Sequence, residues 1–485
     1  VQGAPSDVQP SAPLLGGTHS LTVPYGGDFR VSWDVRQVPQ ATGALLEISA
    51  PGPNTFNSLA TFNNPEGTIT DDNGHDTGSV FTQRLAGASG SVEESADVLD
   101  PTMTHDIRVI PLLASGAPAG EASEVSTISR NGVAPSDGGS VLDGYGVNAH
   151  GSDGIVTSNQ VTADGKSLSS VQTFDQRDNT VTDTLVRSKK DQFGTANSSA
   201  PGILAGDTAL YADTPNNPKL ATTYTVRSPL TSHRTSTWTP PNAPAGAQVE
   251  PADNQDTATD ALLIGNHQLG FRVLSTNVAA NTFGPSVDLG PALSSFAFAE
   301  VTGLGEDTAH ATAVVGASDF LNGSAPPTLI TVDLGTGALH SQPGVGTGTP
   351  SGVAVDSATG TAVLPTSDGV GRYDLAAGTA TLSSPGGFGY QHPAADPRSG
   401  DFVVQEVLSP GAELSTPGLG ATPDDNSVSS VVVLNHQGDV VNRIARFNDF
   451  NVFTQIIGDY VQLNPTTRTG YTLGPFGQQL APFTY

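Results

Sequence analysis

Three groups of acidic residues come closest to a chemical site in this 485-residue chain. Asp71, Asp72, Asn73 and Asp76 lie in TDDNGHDTG, Asp253, Asp256 and Asp260 in ADNQDTATD, and Asp424 and Asp425 in TPDDNS. Calcium takes about six to eight oxygens from carboxylates, carbonyls and water, and clustered Asp and Asn side chains supply that donor type. None of the three completes the D-x-[DN]-x-[DN]-G-x5-E loop of an EF-hand. The first holds its opening fragments, so Asp71, Asp72, Asn73 and Asp76 form the candidate calcium site. The competing reading is plain: Asp and Asn side chains cap their own turns. Calcium is the one cofactor these residues suggest.

Other chemistry finds little footing. The ten histidines are widely separated, with no H-E-x-x-H or H-x-H pair. His150, His267, His310, His340 and His392 could still meet if the fold brought distant segments to one axis. Cysteine is absent, which removes disulfides, thiol catalysis and thiolate zinc. No G-x-x-x-x-G-K-[ST] or G-x-S-x-G is present, and GLGED and GVGTGTPSG lack the strand–loop–helix setting of a phosphate loop. No catalytic residue is assigned.

The elements that must position these residues follow from composition. Charged residues are only 14% of the chain, against the quarter or so usual in globular proteins, so a wholly disordered chain is not expected. The 56 Gly and 36 Pro show no collagen period and imply frequent chain reversals between short strands. A formal net charge of −28 argues against a nucleic-acid partner, which requires a basic footprint. No apolar run approaches the roughly 18 residues of a membrane-spanning helix.

Phe29, Val31, Trp33 and Val35 alternate with Arg30, Ser32, Asp34 and Arg36, the period-two signature of a half-buried strand. Further strands are expected at Leu21–Pro24, Ala44–Ser49, Ser79–Leu85, Met103–Ile110 and Glu124–Ser129. About seven short strands before residue 130 suggest a β-sandwich with Trp33 in its core. FRVSW, followed some 70 residues later by HDIRVIPLLASGAPAGEASEVSTI, resembles a fibronectin type III domain. Its usual late-strand tyrosine would fall near His105. The turn-rich Asn131–Gly139 marks the boundary.

Beyond it, one hairpin unit recurs. It reads VQTFDQRDNTVTDTLV, LITVDLGTGALHSQ, GRYDLAAGTATLSS and SVVVLNHQGDVVNRIARF, with weaker copies at Thr223–Thr237 and Arg272–Leu289. The turns open on Asp175, Asp333, Asp374 and Asn435; with the two weaker copies counted, the mean interval from 175 to 435 is about 52 residues, close to the roughly 40–50 of a propeller blade. Strand-plus-Asp-turn pieces precede several hairpins, such as PSGVAVDSATGTAVLPTSDGVGRYDL and HPAADPRSGDFVVQEV. Together they resemble β-propellers of the YVTN/NHL-like class, with four-stranded blades.

The expected architecture is therefore all-β: residues 1–17 as an extended segment, 18–132 as a fibronectin type III-like sandwich, and 133–485 as a propeller of about seven blades. The last blade would lack its outer strand, which residues near Ser140–Tyr145 or a second subunit would supply. Trp238 is expected in blade packing, since TSHRTSTWTP lacks the Asp and Gly of a sialidase-type turn.

The chain begins Val1-Gln2-Gly3-Ala4 rather than with Met, so a mature secreted chain without its signal peptide is the expectation. Asn197-Ser198-Ser199 and Asn322-Gly323-Ser324 fit the N-glycosylation triplet, which is common by chance. The function expected is non-enzymatic: an extracellular or cell-surface structural or binding protein. It would self-associate into a filament or sheath, or hold an extracellular protein or glycan. The alternatives are a propeller lyase or hydrolase acting on glycans at an axial pocket, and a monomeric adhesin. An ion held by the Asp71–Asp76 loop would stabilise the folded state, so calorimetry with calcium and then chelator is expected to show a fall in melting temperature on chelation.

Overall fold

A computed structural model describes residues 20–23, 28–49, 68–70, 76–95, 104–123, 126–130, Val133 and, with short breaks throughout, 141–408, 428–448, 461–473 and 480–485. Asp71, Asp72, Asn73, the other Asp groups apart from Asp260, and residues 1–17 lie outside the described residues. No described helix is long and apolar enough to cross a membrane.

Among the described residues eight strands precede Val133: β1 (Ser20–Val23), β2 (Asp28–Asp34), β3 (Gly43–Ser49), β4 (Thr68–Thr70), β5 (Asp76–Ala86), β6 (Ser89–Ser95), β7 (Thr104–Leu112) and β8 (Ser126–Arg130). They form two sheets, one ordered β1-β8-β7-β3-β5-β4 and the other pairing β2 with β6. The alternation in β2 turns Phe29, Val31, Trp33 and Val35 inward, against Leu46 and Ile48 of β3, Val109 of β7 and Ile128 of β8. This is a β-sandwich, with Trp33 at its core. On the opposite face of the larger sheet Glu47 and Arg108 are cross-strand neighbours, both buried, with Arg108 Nε donating to Glu47 Oε2 at 2.6 Å. Burial pushes the Glu47 carboxyl up, and the Arg108 guanidinium opposes that push.

Seven antiparallel sheets follow among the described residues. The first is β9–β12 (Val141–Val147, Asp153–Val161, Ser167–Asp175, Thr180–Ser188). The second is β13–β17 (Gln192–Phe193, Gly202–Leu204, Thr208–Thr214, Thr223–Arg227, Ser236–Trp238). The third is β18–β21 (Gln248–Pro251, Asp260–Asn266, Gly270–Asn277, Thr282–Asp288) and the fourth β22–β25 (Ala299–Asp307, Thr312–Asp319, Thr328–Asp333, Leu339–Pro343). The fifth is β26–β29 (Ala354–Asp356, Thr361–Pro365, Val370–Asp374, Thr379–Ser383) and the sixth β30–β33 (Gly389–Asp396, Asp401–Leu408, Val428–Leu434, Val440–Asn448). The seventh has three strands, β34–β36 (Gln462–Asn464, Thr469–Leu473, Leu480–Thr484).

Within each four-stranded sheet the strands pair in chain order, and first strands touch first strands: β22 meets β26, β26 meets β30, β30 meets β34, and β34 meets β9. Last strands such as β21, β25 and β29 are largely exposed. Sheets stacked around an axis by their first strands are a β-propeller. Buried apolar side chains fill the wedges between them. Val403, Val431 and Val433 of the sixth sheet pack on Leu463, Phe483 and Tyr485 of the seventh.

The ring closes through Val133, which pairs with Leu480 of β36 in both directions (2.9 and 3.3 Å). This corrects the expectation that Ser140–Tyr145 would fill the outer edge. Leu142, Tyr145 and Val147 are buried apolar residues that β9 commits to the first sheet, packed on Tyr471 and Leu480. The chain ahead of them therefore reaches the edge.

A single turn recurs at the ends of the inner strands. Asp307, Asp356, Asp396 and Asn464 are all buried, and the side-chain oxygen of each accepts the N–H of a residue two or three further on (2.9–3.3 Å). Four residues on, the backbone turns left-handed at Ala311 (φ 48°), Gly360 (64°), Gly400 (74°) and Arg468 (54°). The hairpin turns opened by Asp175, Asp333 and Asp374 place Asn179, Gly337 and Gly378 in the same conformation. An L side chain there costs about 1 kcal/mol. Gly360→Ala is accordingly expected to lower unfolding free energy by about 1 kcal/mol, because a Cβ there meets nothing within 4 Å and only the backbone pays. Ala311→Gly is expected to raise it by a few tenths to about 1 kcal/mol, both read from urea unfolding curves.

Candidate functional site

The starts of the inner strands converge beside the axis, and polar groups collect there. Thr302 O of β22 accepts the N–H of Gly352 at 3.0 Å, and Ser351 O accepts the N–H of His392 at 2.8 Å. The fourth, fifth and sixth sheets are thus joined in succession. The approach is close: a Cβ on Gly303 would lie 2.6 Å from Gly352 Cα, and one on Gly352 (φ 94°) would lie 2.8 Å from Pro393 Cδ. The GLGED run is therefore inner-strand β22, with Gly303 admitting the next strand, rather than a phosphate loop.

Around these joints stand Glu300, Thr302, Ser318, His392 and Gln405. Glu300 faces Ser318 in the β22–β23 register, and Gln405 faces Gln391 beside His392 in the β30–β31 register. Glu300 Oε2, Thr302 Oγ1, Ser318 Oγ and Gln405 Oε1 are buried and accept or donate no hydrogen bond among the described residues. Leaving such an atom unmatched costs about 1–3 kcal/mol, so the arrangement is suited to a ligand rich in hydrogen-bonding groups. His392 sits in the irregularity between Gln391 and Ala394 with φ 45°, a strained value for a non-glycine residue. Part of its surface stays open, yet burial pushes the imidazole down to about 4, so it is neutral near pH 7.

The residues singled out by sequence do not assemble. His310 Nδ1 lies 2.7 Å from Asp307 Oδ2 in its own turn, and His340 is exposed on outer strand β25. His150 and His267 fall outside the described residues. Asp76 opens β5 and Asp260 opens β19. Trp238 is buried and stacks on Phe283 with ring centroids 6.2 Å apart, in blade packing as expected. No group of three or more His, Cys, Asp or Glu that could hold a metal occurs among the described residues. Sequence reasoning reached His392 as one histidine of five. It missed Glu300, Thr302, Ser318 and Gln405, single polar residues inside apolar strands whose only signal is that interruption.

No family model matches the chain, and no curated protein matches it. Among solved structures it is similar to the β-propeller domain of Cps50 (Swd1) from Myceliophteria thermophila. That likeness has 11% identity and a TM-score of 0.45, over 71% of this chain and 97% of that one. The propeller architecture rests on the sheet order and the inner-strand contacts, independently of that likeness.

The His392 shift has a signed consequence. An unfolded histidine titrates near 6.5, so between about 6.5 and 4 the unfolded chain takes up a proton that the folded chain refuses. Folding free energy is fully present above that window and falls as pH drops through it. His392→Gln is expected to flatten this dependence by at most about 2–3 kcal/mol between pH 7 and 4.5, measured by urea unfolding at the two pH values.

Proposed function

We propose that the chain is a secreted, non-enzymatic protein of the extracellular space or cell surface. It joins a fibronectin type III-like sandwich to a seven-bladed propeller and builds an assembly with copies of itself. The sandwich pairs β2 with β6 and places β3, β7 and β8 side by side, which fits the B–E and C–F–G pairings of that kind of domain. The seven consecutive sheets, with Val133 at the edge of the last, fit seven blades.

The observation that carries the assembly reading is the outer edge of β36. β36 ends the order of its three-stranded sheet, and beyond it Val133 bridges Leu480. The terminal strand of a sheet is a template for an added strand. Residues 1–17 of a second copy are the proposed donor, and head-to-tail exchange of this kind yields an open polymer. The axial cluster supports a second reading: capture of a glycan or peptide by an adhesin, or its cleavage by a lyase or hydrolase.

The full chain is expected to elute as a concentration-dependent series of oligomers and to form filaments in negative stain. Removal of residues 1–17 is expected to leave monomer. A full chain that stays monomeric at every concentration would sink the assembly reading.

A further inference from the structure

The fourth sheet carries an exposed apolar surface beside a modification triplet. Phe298 is 41% exposed, Phe320 57% and Leu321 70%. The two rings lie with centroids 5.9 Å apart, tilted at an interplanar angle of 57°. They belong to the segment entering β22 and to the 3-10 turn Phe320–Asn322 that follows β23. The Asp319 carboxylate holds the two together, accepting the backbone N–H groups of Ala297 (3.0 Å), Phe298 (3.1 Å) and Leu321 (3.2 Å). Phe320 N–H donates to Phe298 O at 2.9 Å. These bonds fix an aromatic pair in solvent, where exposed apolar clusters ordinarily serve a contact.

What the contact receives is indicated two residues further on. Asn322 is exposed and opens the triplet Asn322-Gly323-Ser324. Its Oδ1 accepts a hydrogen bond from the Ser324 hydroxyl at 3.3 Å, so the amide and hydroxyl of the triplet face one another. We propose that Asn322 accepts an asparagine-linked glycan and that Phe298 and Phe320 form the platform on which its first sugar packs. The proposal rests on the export reading above. A sugar presents a face of C–H groups polarised by its oxygens, and an aromatic face carries the complementary negative charge. In the transfer, the anomeric carbon of a lipid-phosphate-linked sugar donor loses its bond to the phosphate oxygen and forms one to Asn322 Nδ2. The lipid phosphate leaves with the electron pair, and the amide proton passes to a base of the transferase.

The test secretes the full chain, behind an added signal peptide, from insect cells that perform this modification, and reads site occupancy by glycopeptide mass spectrometry. The internal reference is Asn197-Ser198-Ser199, which has Thr195 rather than an aromatic residue two positions ahead. Asn322 is expected to be occupied, and Ser324→Ala to abolish that. Phe320→Ala is expected to lower occupancy about threefold, within the range of one aromatic contact, while leaving Asn197 unchanged. Enzymatic removal of the glycan is expected to lower the melting temperature by about 2–4 °C in the parent chain and not in Phe320→Ala. An empty Asn322 on folded, secreted protein, or a Phe320→Ala chain with unchanged occupancy and thermal shift, would overturn the proposal. Native protein found inside the cell would overturn the export reading and the modification in its natural setting, leaving the geometry of the acceptor intact.

Discussion

Several junctions in the ring depend on a buried polar side chain that bonds across them where one inner strand ends and the next sheet begins. Asp396 shows the pattern: one carboxylate oxygen caps its own turn, and the other accepts the Tyr485 hydroxyl of the seventh sheet at 3.2 Å. Asn464 does the same toward the first sheet, donating to Gly151 O at 3.0 Å and Gln176 Oε1 at 2.8 Å. Between the fourth and fifth sheets Ser357 Oγ receives the N–H of Thr308, and Glu306 Oε2 reaches back to Ala261 N–H in the third. Apolar wedges supply most of the driving force, but they are tolerant of sliding. Directional bonds at fixed turn positions set the angular register of one sheet on the next.

Charge is distributed according to the same logic. The carboxyls of Asp175, Asp319 and Asp333 are held below the usual carboxylate range, Asp175 chiefly by the Arg177 guanidinium and the other two by backbone N–H donors. A carboxyl so lowered contributes stability that is present above its unfolded value and lost as pH falls. The neutral imidazole of His392 loses its contribution in the same direction. Tyr485, whose phenol is pushed up by burial and by Asp396, stays protonated as a donor. Part of the acid excess is therefore structural, spent on turns, and the fold is tuned to neutral rather than acidic surroundings.

Much of this was legible because the local signal and the global fold agree. The hairpins led by Asp175, Asp333 and Asp374 declare themselves within about ten residues, through an Asx leader, a left-handed fourth position and alternating apolar strands. β2 was legible for the same reason, whereas polar β6 (Ser89–Ser95) and three-residue β4 were not. The axial cluster was illegible: Glu300 belongs to the fourth sheet and His392 and Gln405 to the sixth, and no local pattern encodes the backbone bonds that join those sheets through the fifth. The partners of Asn464 lie 288 and 313 residues away. The calcium candidates Asp71, Asp72 and Asn73 stand where the sequence left them.

The latch at Val133 has a mechanical meaning. It follows β8 of the sandwich, which ends at Arg130, and it precedes β9. Tension arriving along the chain from the sandwich meets this backbone pair before it meets any strand of the ring. Two hydrogen bonds at one residue yield one at a time under a peeling load, so the propeller is built to open first at the seam between its last and first sheets. The sandwich is then less a passive spacer than a handle on that seam, and a pull on it would bear first on Leu480 of β36.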